Sequence, residues 1–478
     1  MSQPAAKIVP LPSFFDELVR KGAKVYEVGG TVRDALLGRL VKGGSPEGDS
    51  PLGGSPKDKD LLVTRLPMAE LTSLLQRHGS VITVGRSFGV LKFTPRGTDE
   101  CYDLALPRKE VSTGQGHRDF LVDFDPNLPV EKDLERRDFT INAMACDLQT
   151  GQRIDPFGGQ KDLEEKKLRI VAPRAFEEDP LRLLRGIQFA ARFHLELTPE
   201  TEKAMTQAAP LIRTVSAERI VEEVRKLFLA EKPSLGFKLM LQVGLLKEVF
   251  PELQECVGVE QGNKFRNDDV FEHTLRVLDA SRKDNAIPTS GDLELMFSAL
   301  FHDIGKPRTK RYIPEKERIA FYGHQTVGRK MAQKWMQRMK ISILGVDPGR
   351  IASLVENHMF QTKSYFTDRS IRRFISKVGA DLIFKLVDLR LADNRGGKYP
   401  EGIKGVLKLR KRIADEVSKK PPLGPRDLAI TGHDIISLGI PEGPQIGNIQ
   451  KALVEIVLDN PEKNSKEQLI EIIQTQLL

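Results

Sequence analysis

The sequence predicts an α+β chain: a mixed sheet with helices in the first third, then helices alone. Three observations carry this prediction. Short runs of strand composition all fall before residue 110: KVYEVGG at 24–30, DKDLLVT at 58–64 and CYDLAL at 101–106. From about Ala175 the apolar spacing becomes that of helices, as in DPLRLLRGIQFAARF at 179–193. The length, 478 residues, suits about three domains at roughly 100–200 residues each.

Taken in order, KVYEVGG reads as a strand ending in glycines, and TVRDALLGRL at 31–40 as a short helix. The Gly/Ser/Pro-rich VKGGSPEGDSPLGGSP at 41–56 reads as a surface excursion. Strands follow at 58–64 and 101–106, and the polar, glycine-punctuated stretch from Pro107 to Glu135 reads as a long loop. Pro180 suits the first position of the 179–193 helix. Breaks near 155–175, 231–268 and 415–425 suggest four segments: 1–160, 161–230, 231–415 and 416–478.

Apolar residues make up 40% and charged residues 29%, a composition of globular proteins. The net charge of +8 suits a polyanionic partner, although many proteins with this charge bind no nucleic acid. Three widely spaced cysteines, Cys101, Cys146 and Cys256, without a Cys-x-x-Cys, exclude a disulfide framework and a cysteine zinc site. A cytoplasmic location is the expectation. No apolar run reaches the length of a membrane span, and the N-terminal stretch lacks the apolar core of a secretory signal.

Gly29 and Gly30 end a strand and open a helix, where free backbone N–H groups suit an anion, and Arg33 follows within a turn. A tight strand–helix turn needs the same residues. Asp58 and Asp60 are two apart on a strand and so project to one face, where hard oxygen ligands suit Mg²⁺ held with substrate phosphates. A solvated strand end is the plain alternative. Asp103, on a further strand, suits a third ligand or base, or is an ordinary strand carboxylate. Together the turn, the Asp-x-Asp strand and the next strand form the layout that nucleotidyl transfer needs.

In RRDFTINAMA at 136–145, Arg137 suits a triphosphate, Asp138 a ribose hydroxyl and Asn142 the sugar or a phosphate. The alternative is a surface Arg–Asp pair ahead of a buried helix. In EDPLRLLR at 178–185, Asp179 and Arg182 lie three apart on one helical face. An acceptor beside a donor complements the pairing edges of cytosine and adenine, and rejects those of guanine and uracil. Alternatively, Asp179 caps the helix and Arg182 is surface charge.

GGTVRDALLG, KDKDLLV, RRDFTINAMA, DPFGGQKDLEEKKLR and EDPLRLLRGIQFAARF, in this order, resemble the motif series of the class II tRNA nucleotidyltransferase and bacterial poly(A) polymerase family. DLAITGHDIISLGIPEGPQIGNIQKALVEIV at 427–457 is similar to the C-terminal part of CCA-adding enzymes. The resemblance covers nearly the whole chain. It implies a polymerase-β-like head, a helical neck that selects the nucleotide, and a body and tail that grip tRNA. It further implies that Gly30, Arg33 and Arg137 hold the triphosphate of ATP or CTP, that Asp58 and Asp60 bind Mg²⁺, and that Asp179, Arg182 and Arg185 read the base. The stretch before Asp58 is longer than the family pattern.

His273, His302, Asp303, His324, His358 and Asp393 form a second constellation in the helical half, with imidazole and carboxylate donors suited to a divalent transition metal. On one helix, His302 and Asp303 would point in different directions. FHDIGKP after an upstream histidine resembles the HD phosphohydrolase superfamily. That resemblance implies a metal motif over 268–395, with His324 and His358 as ligands of a second ion and Lys306 assisting with a phosphate. The expected activity is CCA addition to tRNA, with an HD phosphohydrolase activity beside it. GRSFGVLKF at 85–93 and the tail lean toward tRNA use. Rivals are a poly(A) polymerase, an enzyme adding only A or only CC, an HD hydrolase with a degenerate head, and a non-catalytic RNA-binding protein.

Overall fold

In a computed structural model, residues 13–38, 58–84, 89–112, 120–261, 269–282, 289–362, 366–397 and 402–477 are described. They fall into two compact units. The first comprises residues 1–254, 283–290 and 337–345, and the second 255–282, 291–336 and 346–478.

The first unit is built on a seven-stranded mixed sheet of order β3-β4-β5-β2-β1-β8-β9. Its strands are β1 (Lys24–Val28), β2 (Asp58–Thr64), β3 (Gly79–Val84), β4 (Val90–Pro95), β5 (Cys101–Ala105), β8 (Ala145–Asp147) and β9 (Arg153–Ile154), with a separate hairpin of β6 (Arg108–Ser112) and β7 (Phe120–Phe124). All neighbours in the main sheet are antiparallel except β2 and β5, which run parallel with Asp60 opposite Asp103. One face packs Val25, Leu61, Val63, Phe93, Tyr102 and Leu104 against helices α1 (Ser13–Arg20) and α3 (Met68–His78). Tyr26, Val28 and Leu62 pack on the other face with Val130 and Leu134 of α4 (Val130–Glu135). By strand alternation Asp60 and Asp103 lie on this second face.

The glycine turn leads into α2 (Gly30–Leu36). After α5 (Gly159–Glu164), a short parallel pair of β10 (Lys167–Leu168) and β11 (Glu196–Leu197) brackets α6 (Ala175–Glu178) and α7 (Arg182–Phe193). The unit continues through α8 (Pro199–Ala208), α9 (Ala217–Leu227), α10 (Ser234–Gln242), α11 (Leu246–Val249) and α12 (Pro251–Gln254). Helix α7 buries Leu183, Ile187, Phe189, Ala190 and Phe193, which is the apolar spacing legible in its sequence.

The second unit holds α13 (Val270–Ser281), α14 (Ser290–Phe301), α15 (Lys306–Thr309), a hairpin of β12 (Arg311–Ile313) and β13 (Arg318–Ala320), and most of α16 (His324–Met339). It continues with α17 (Pro348–Asn357), α18 (Asp368–Val378), α19 (Ile383–Gly396), α20 (Ile403–Ser418), α21 (Gly432–Ser437), α22 (Pro444–Asp459) and α23 (Lys466–Ile472). One core gathers Val277, Leu354, Ile375, Leu386, Leu409 and Ile413, and a second gathers Ile435, Leu453, Val457, Leu469 and Ile473. Arg372 joins the two. Its Nε donates to Leu458 O at 2.7 Å, Nη2 to Asp459 O at 3.1 Å and Nη1 to Glu416 Oε1 at 2.8 Å. The guanidinium thus satisfies carbonyls that the end of α22 leaves unpaired.

Four expectations are corrected. The stretch 107–135 is not one loop but holds the β6–β7 ladder and α4, because register pairing supplies an order that polar interruptions hide in sequence. The first helix spans Gly30–Leu36 rather than 31–40. Helix α7 begins at Arg182, so Pro180 precedes it; Asp179 ends α6 in an extended conformation that a residue before proline favours. Residues 140–142 form a buried 3₁₀ turn rather than an α-helix. The 41–56 excursion lies outside the described residues. Among the described residues, no helix is long and apolar enough to cross a membrane.

Replacing Arg372 by Met leaves Glu416 buried with only the exposed Lys419 as ion partner. The second unit should lose about 2–3 kcal/mol. The single tryptophan, Trp335, is fully buried in this unit, so its fluorescence should report the lower urea midpoint.

Candidate functional sites

In the first unit, the parallel pairing of β2 and β5 brings Asp60 and Asp103 side by side across adjacent strands. Asp103 Oδ1 is buried and meets Lys92 Nζ at 3.3 Å. Asp58 stands two residues before Asp60 on β2, opposite Cys101; its side chain is outside the described ones. Oxygen donors on one sheet face fit a hard divalent cation.

At the end of β1, Gly29 has φ +69°, a region that glycine enters without strain. Arg137 Nη1 lies 2.6 Å from where a Cβ on Gly29 would sit, so any side chain there would displace this guanidinium. Arg137 is held by Asp133 Oδ2 at 3.4 Å and by Asn142 O at 3.5 Å. Asp133, fully buried on α4, also binds Arg136 at 2.5 Å. The sequence reading did not single out Asp133, although its spacing of three and four residues before two arginines is a legible helical signal.

Arg33 of α2 is 6% exposed. Its Nη1 donates to Asn142 Oδ1 at 2.7 Å, and its Nε to Asp34 Oδ1 at 2.8 Å. Asn142 Nδ2 in turn donates to Asp138 Oδ1 at 3.1 Å, and Arg185 Nε donates to Asp138 Oδ2 at 2.8 Å. Burial raises the Asp138 carboxyl pKa, but Arg185 and the hydrogen bonds from Asn142 and Phe139 N outweigh it and hold the group below the usual carboxylate range. The same carboxylate raises Arg185. Arg33, Asn142, Asp138 and Arg185 are therefore one connected group, from residues 33 to 185 in sequence.

Asp179 and Arg182 do not pair with each other. Asp179 accepts from Arg219 Nη2 on α9 at 3.0 and 3.3 Å, and from Leu181 N at 3.2 Å. Arg182 reaches Glu178 Oε2 and Ala175 O at 3.2 Å each through Nη1, and Arg136 O at 2.8 Å through Nη2. Both side chains are anchored. Arg219 is a partner the sequence reading missed, and no local spacing announces a contact 40 residues away.

In the second unit, Asp303 is the centre of a buried cluster. Its Oδ2 lies 3.1 Å from His302 Nε2, 3.7 Å from His273 Nε2 and 2.6 Å from Lys306 Nζ; its Oδ1 lies 3.4 Å from His324 Nε2 and 3.8 Å from His358 Nε2. His302 and Asp303 stand in the turn after α14 and converge, rather than diverging along one helix. Asp393 Oδ1 on α19 meets His273 Nε2 at 3.1 Å, while Arg390 Nη1 takes Asp393 Oδ2 at 3.1 Å. Lys306 Nζ also donates to Gln261 Oε1 at 3.0 Å. Gln261 and Arg390 were not singled out in the sequence; Arg390, three residues before Asp393 on a helix, carried a readable spacing.

Two ligand-competent groups result, His273–His302–Asp303 and Asp303–His324–His358, with Asp303 in both. His302, His324 and His358 each place Nδ1 2.7–2.8 Å from the carbonyl three residues earlier, which turns Nε2 toward the cluster. His302 Nε2 is buried without hydrogen-bond geometry to any partner, although Asp303 Oδ2 is near. A nitrogen so placed fits a metal ion. Burial, followed by the charge on His302, pushes His358 down to about 3, so it stays neutral, the state a ligand needs. Burial raises the Asp303 carboxyl pKa, but His302 and Lys306 prevail and hold it well below the usual range.

An Asp-lined parallel strand pair in the same unit as an arginine-rich glycine turn suits nucleotidyl transfer, and the histidine–aspartate cluster suits a divalent metal ion. The sequence matches the Poly A polymerase head domain over residues 25–169, the probable RNA and SrmB-binding site of polymerase A over 194–256, and the HD domain over 270–395. The A-adding tRNA nucleotidyltransferase of Deinococcus radiodurans is 34% identical over 358 residues, 72% of this chain and 78% of that protein. The Multifunctional CCA protein of Actinobacillus pleuropneumoniae is 38% identical over 328 residues, 67% of this chain and 72% of that protein. The fold resembles the CCA-adding enzyme of Bacillus stearothermophilus solved with CTP, with a TM-score of 0.62 and 23% identity over 98% of this chain and 99% of that one. It also resembles the Thermotoga maritima CCA-adding enzyme complexed with tRNA, with a TM-score of 0.54 and 20% identity over 98% and 97% of the two chains. The chain belongs to the tRNA nucleotidyltransferase and poly(A) polymerase family and is a nucleotidyltransferase carrying an HD domain.

Chelator-treated protein should bind Co²⁺ in the HD domain with visible d–d absorbance. Asp303→Asn, which weakens the donor shared by both groups, should lower that affinity by more than about 100-fold.

Proposed function

We propose that this enzyme adds C, C and A to tRNA 3′ ends from CTP and ATP, releasing pyrophosphate. The observation that carries the reading is the in-register placement of Asp60 and Asp103 in the same unit as the linked Arg33–Asn142–Asp138–Arg185 group. The kinship to proteins named for CCA and A addition supports it. Asp58 and Asp60 are the Mg²⁺ ligands, with Asp103 beside them. Mg²⁺ there would activate the terminal 3′-hydroxyl toward the α-phosphate and neutralise the leaving pyrophosphate. Gly29 and Gly30 admit the triphosphate, Arg33 and Arg137 hold it, and Asp138 with Asn142 addresses the sugar.

Asp179 and Arg182, assisted by Arg185, read the base. Their tethers to Arg219, Glu178 and Arg136 O fix one acceptor and one donor in place before the base arrives, which limits the entropy lost on reading it. The basic excess serves tRNA phosphates, so affinity falls with salt. In this reading 1–160 is the head, 161–230 the nucleotide-selecting neck, 231–415 the HD-containing body and 416–478 the tRNA-binding tail, in a cytoplasmic enzyme.

The HD domain is proposed as a phosphohydrolase for phosphomonoesters or 2′,3′-cyclic phosphates. A divalent transition metal held by His273, His302, Asp303 and Asp393 would supply activated water, with His324 and His358 serving a second ion. Lys306 lies 2.6 Å from Asp303 and is placed to meet a phosphate that approaches the cluster.

The 34% identity to an A-adding enzyme favours a second reading, in which only the terminal A is added. Transcripts ending before CCA, after C and after CC, given Mg²⁺ with CTP, ATP or both, separate the readings. Completion of all three to CCA and arrest there supports the first. A single A on the CC-ended transcript alone establishes the second, and long A tracts would make the enzyme a poly(A) polymerase. Asp60→Ala should abolish addition while tRNA binding persists in a filter assay. Arg182→Ala should raise UTP and GTP misincorporation by about 5- to 150-fold, since one good bidentate base contact supplies about 1–3 kcal/mol of discrimination.

A further inference from the structure

The group that links Arg33 to Arg185 closes on itself through an aromatic ring. Arg33 Cζ lies 5.2 Å from the Phe189 ring centroid, and Arg185 Cζ lies 5.4 Å from the same centroid. Arg33 also sits 4.5 Å from the Phe193 centroid, and Phe193 stacks on Phe189 at 5.9 Å and 15°. On the other path, Asn142 and Asp138 bridge the two guanidiniums by hydrogen bonds. Five side chains from α2, the 3₁₀ turn and α7 thus form a ring: Arg33, Asn142, Asp138, Arg185 and Phe189.

Two cations held this close repel each other, and burial of Arg33 removes the water that would screen them. Asp138 bonds directly to Arg185 alone, and Arg33 takes Asp34. Phe189 presents its negative π-face within cation–π range of both. The ring has little freedom of its own, because it is 6% exposed and meets the fully buried Phe139 at 6.1 Å and 89°. Phe139 directly follows Asp138, so ring and carboxylate are fixed by the same stretch of backbone.

We propose that Phe189 is a positioning residue for triphosphate recognition, its ring fixing the Arg33 guanidinium that meets the phosphates relative to Arg185, which assists in reading the base. This rests on the nucleotide-binding reading above. Because a triphosphate is common to CTP and ATP, weakening the ring affects the binding of both alike.

The test replaces Phe189 in the full chain with phenylalanines carrying one, two and three fluorines, which weaken the π-face with little change of volume. KM for CTP and for ATP, and Kd for inorganic tripolyphosphate by calorimetry, should rise stepwise together, by about tenfold at three fluorines. The kcat and the melting temperature should stay level. The same series at Phe176, which packs against Phe139 and faces no cation among the described residues, should show no trend. A flat series at Phe189, or a trend equal to that at Phe176, would overturn the proposal. Failure of the unmodified enzyme to bind CTP, ATP or tripolyphosphate would overturn the nucleotide-binding reading itself.

Discussion

One buried carboxylate, Asp138, ties together residues of the first unit that lie far apart in sequence. Asp138 accepts from its neighbour's backbone, from Asn142 and from Arg185, and through Asn142 it orients Arg33. A buried ion of this kind is stabilising only when its lone pairs are taken up, and here they are. The residues it joins come from α2, the 3₁₀ turn and α7, so side chains from three separate stretches of the chain are mutually positioned by a single ion. Asp133 plays a smaller version of the same part for Arg136 and Arg137. The pattern is of arginines held ready, each with its own anion, for a ligand that brings several negative charges.

The HD domain solves the opposite electrostatic problem. Its ligands are gathered before any ion arrives, and Asp303 is the only carboxylate common to both groups. Lys306 and Arg390 neutralise Asp303 and Asp393 beside the imidazoles. Carbonyl contacts at Nδ1 leave Nε2 as the donor nitrogen on three histidines, so the donor set is preorganised by backbone rather than by surrounding side chains.

Much of this was legible in the sequence, for local reasons. The glycine pair with positive φ at Gly29, the alternation of DKDLLVT and the helical spacing of RLLRGIQFAARF all act over a few residues, and each formed as its pattern implies. The buried histidine–aspartate cluster was legible because HDIGKP sets His302 and Asp303 side by side and His273 lies on an amphipathic helix, α13. What escaped depends on distance. The partnership of Asp179 with Arg219 and the β6–β7 ladder follow from tertiary register, which has no signature in a short window. Proline 180 misled for a physical reason: it suits a first helical turn, but Asp179 before it is driven to an extended backbone, and the chain needs two more residues before α7 begins.

The parallel pairing of β2 with β5 also dictates when Asp60 and Asp103 can meet. Antiparallel β3 and β4 zip from a short connection, whereas β2 and β5 are roughly forty residues apart and join only after the intervening helix and hairpin have returned the chain to β2. A chain still leaving the ribosome therefore carries Asp58 and Asp60 well before Asp103 exists to stand beside them. The pairing of Asp60 with Asp103 exists only once the sheet is complete, so a half-made or misregistered head lacks it.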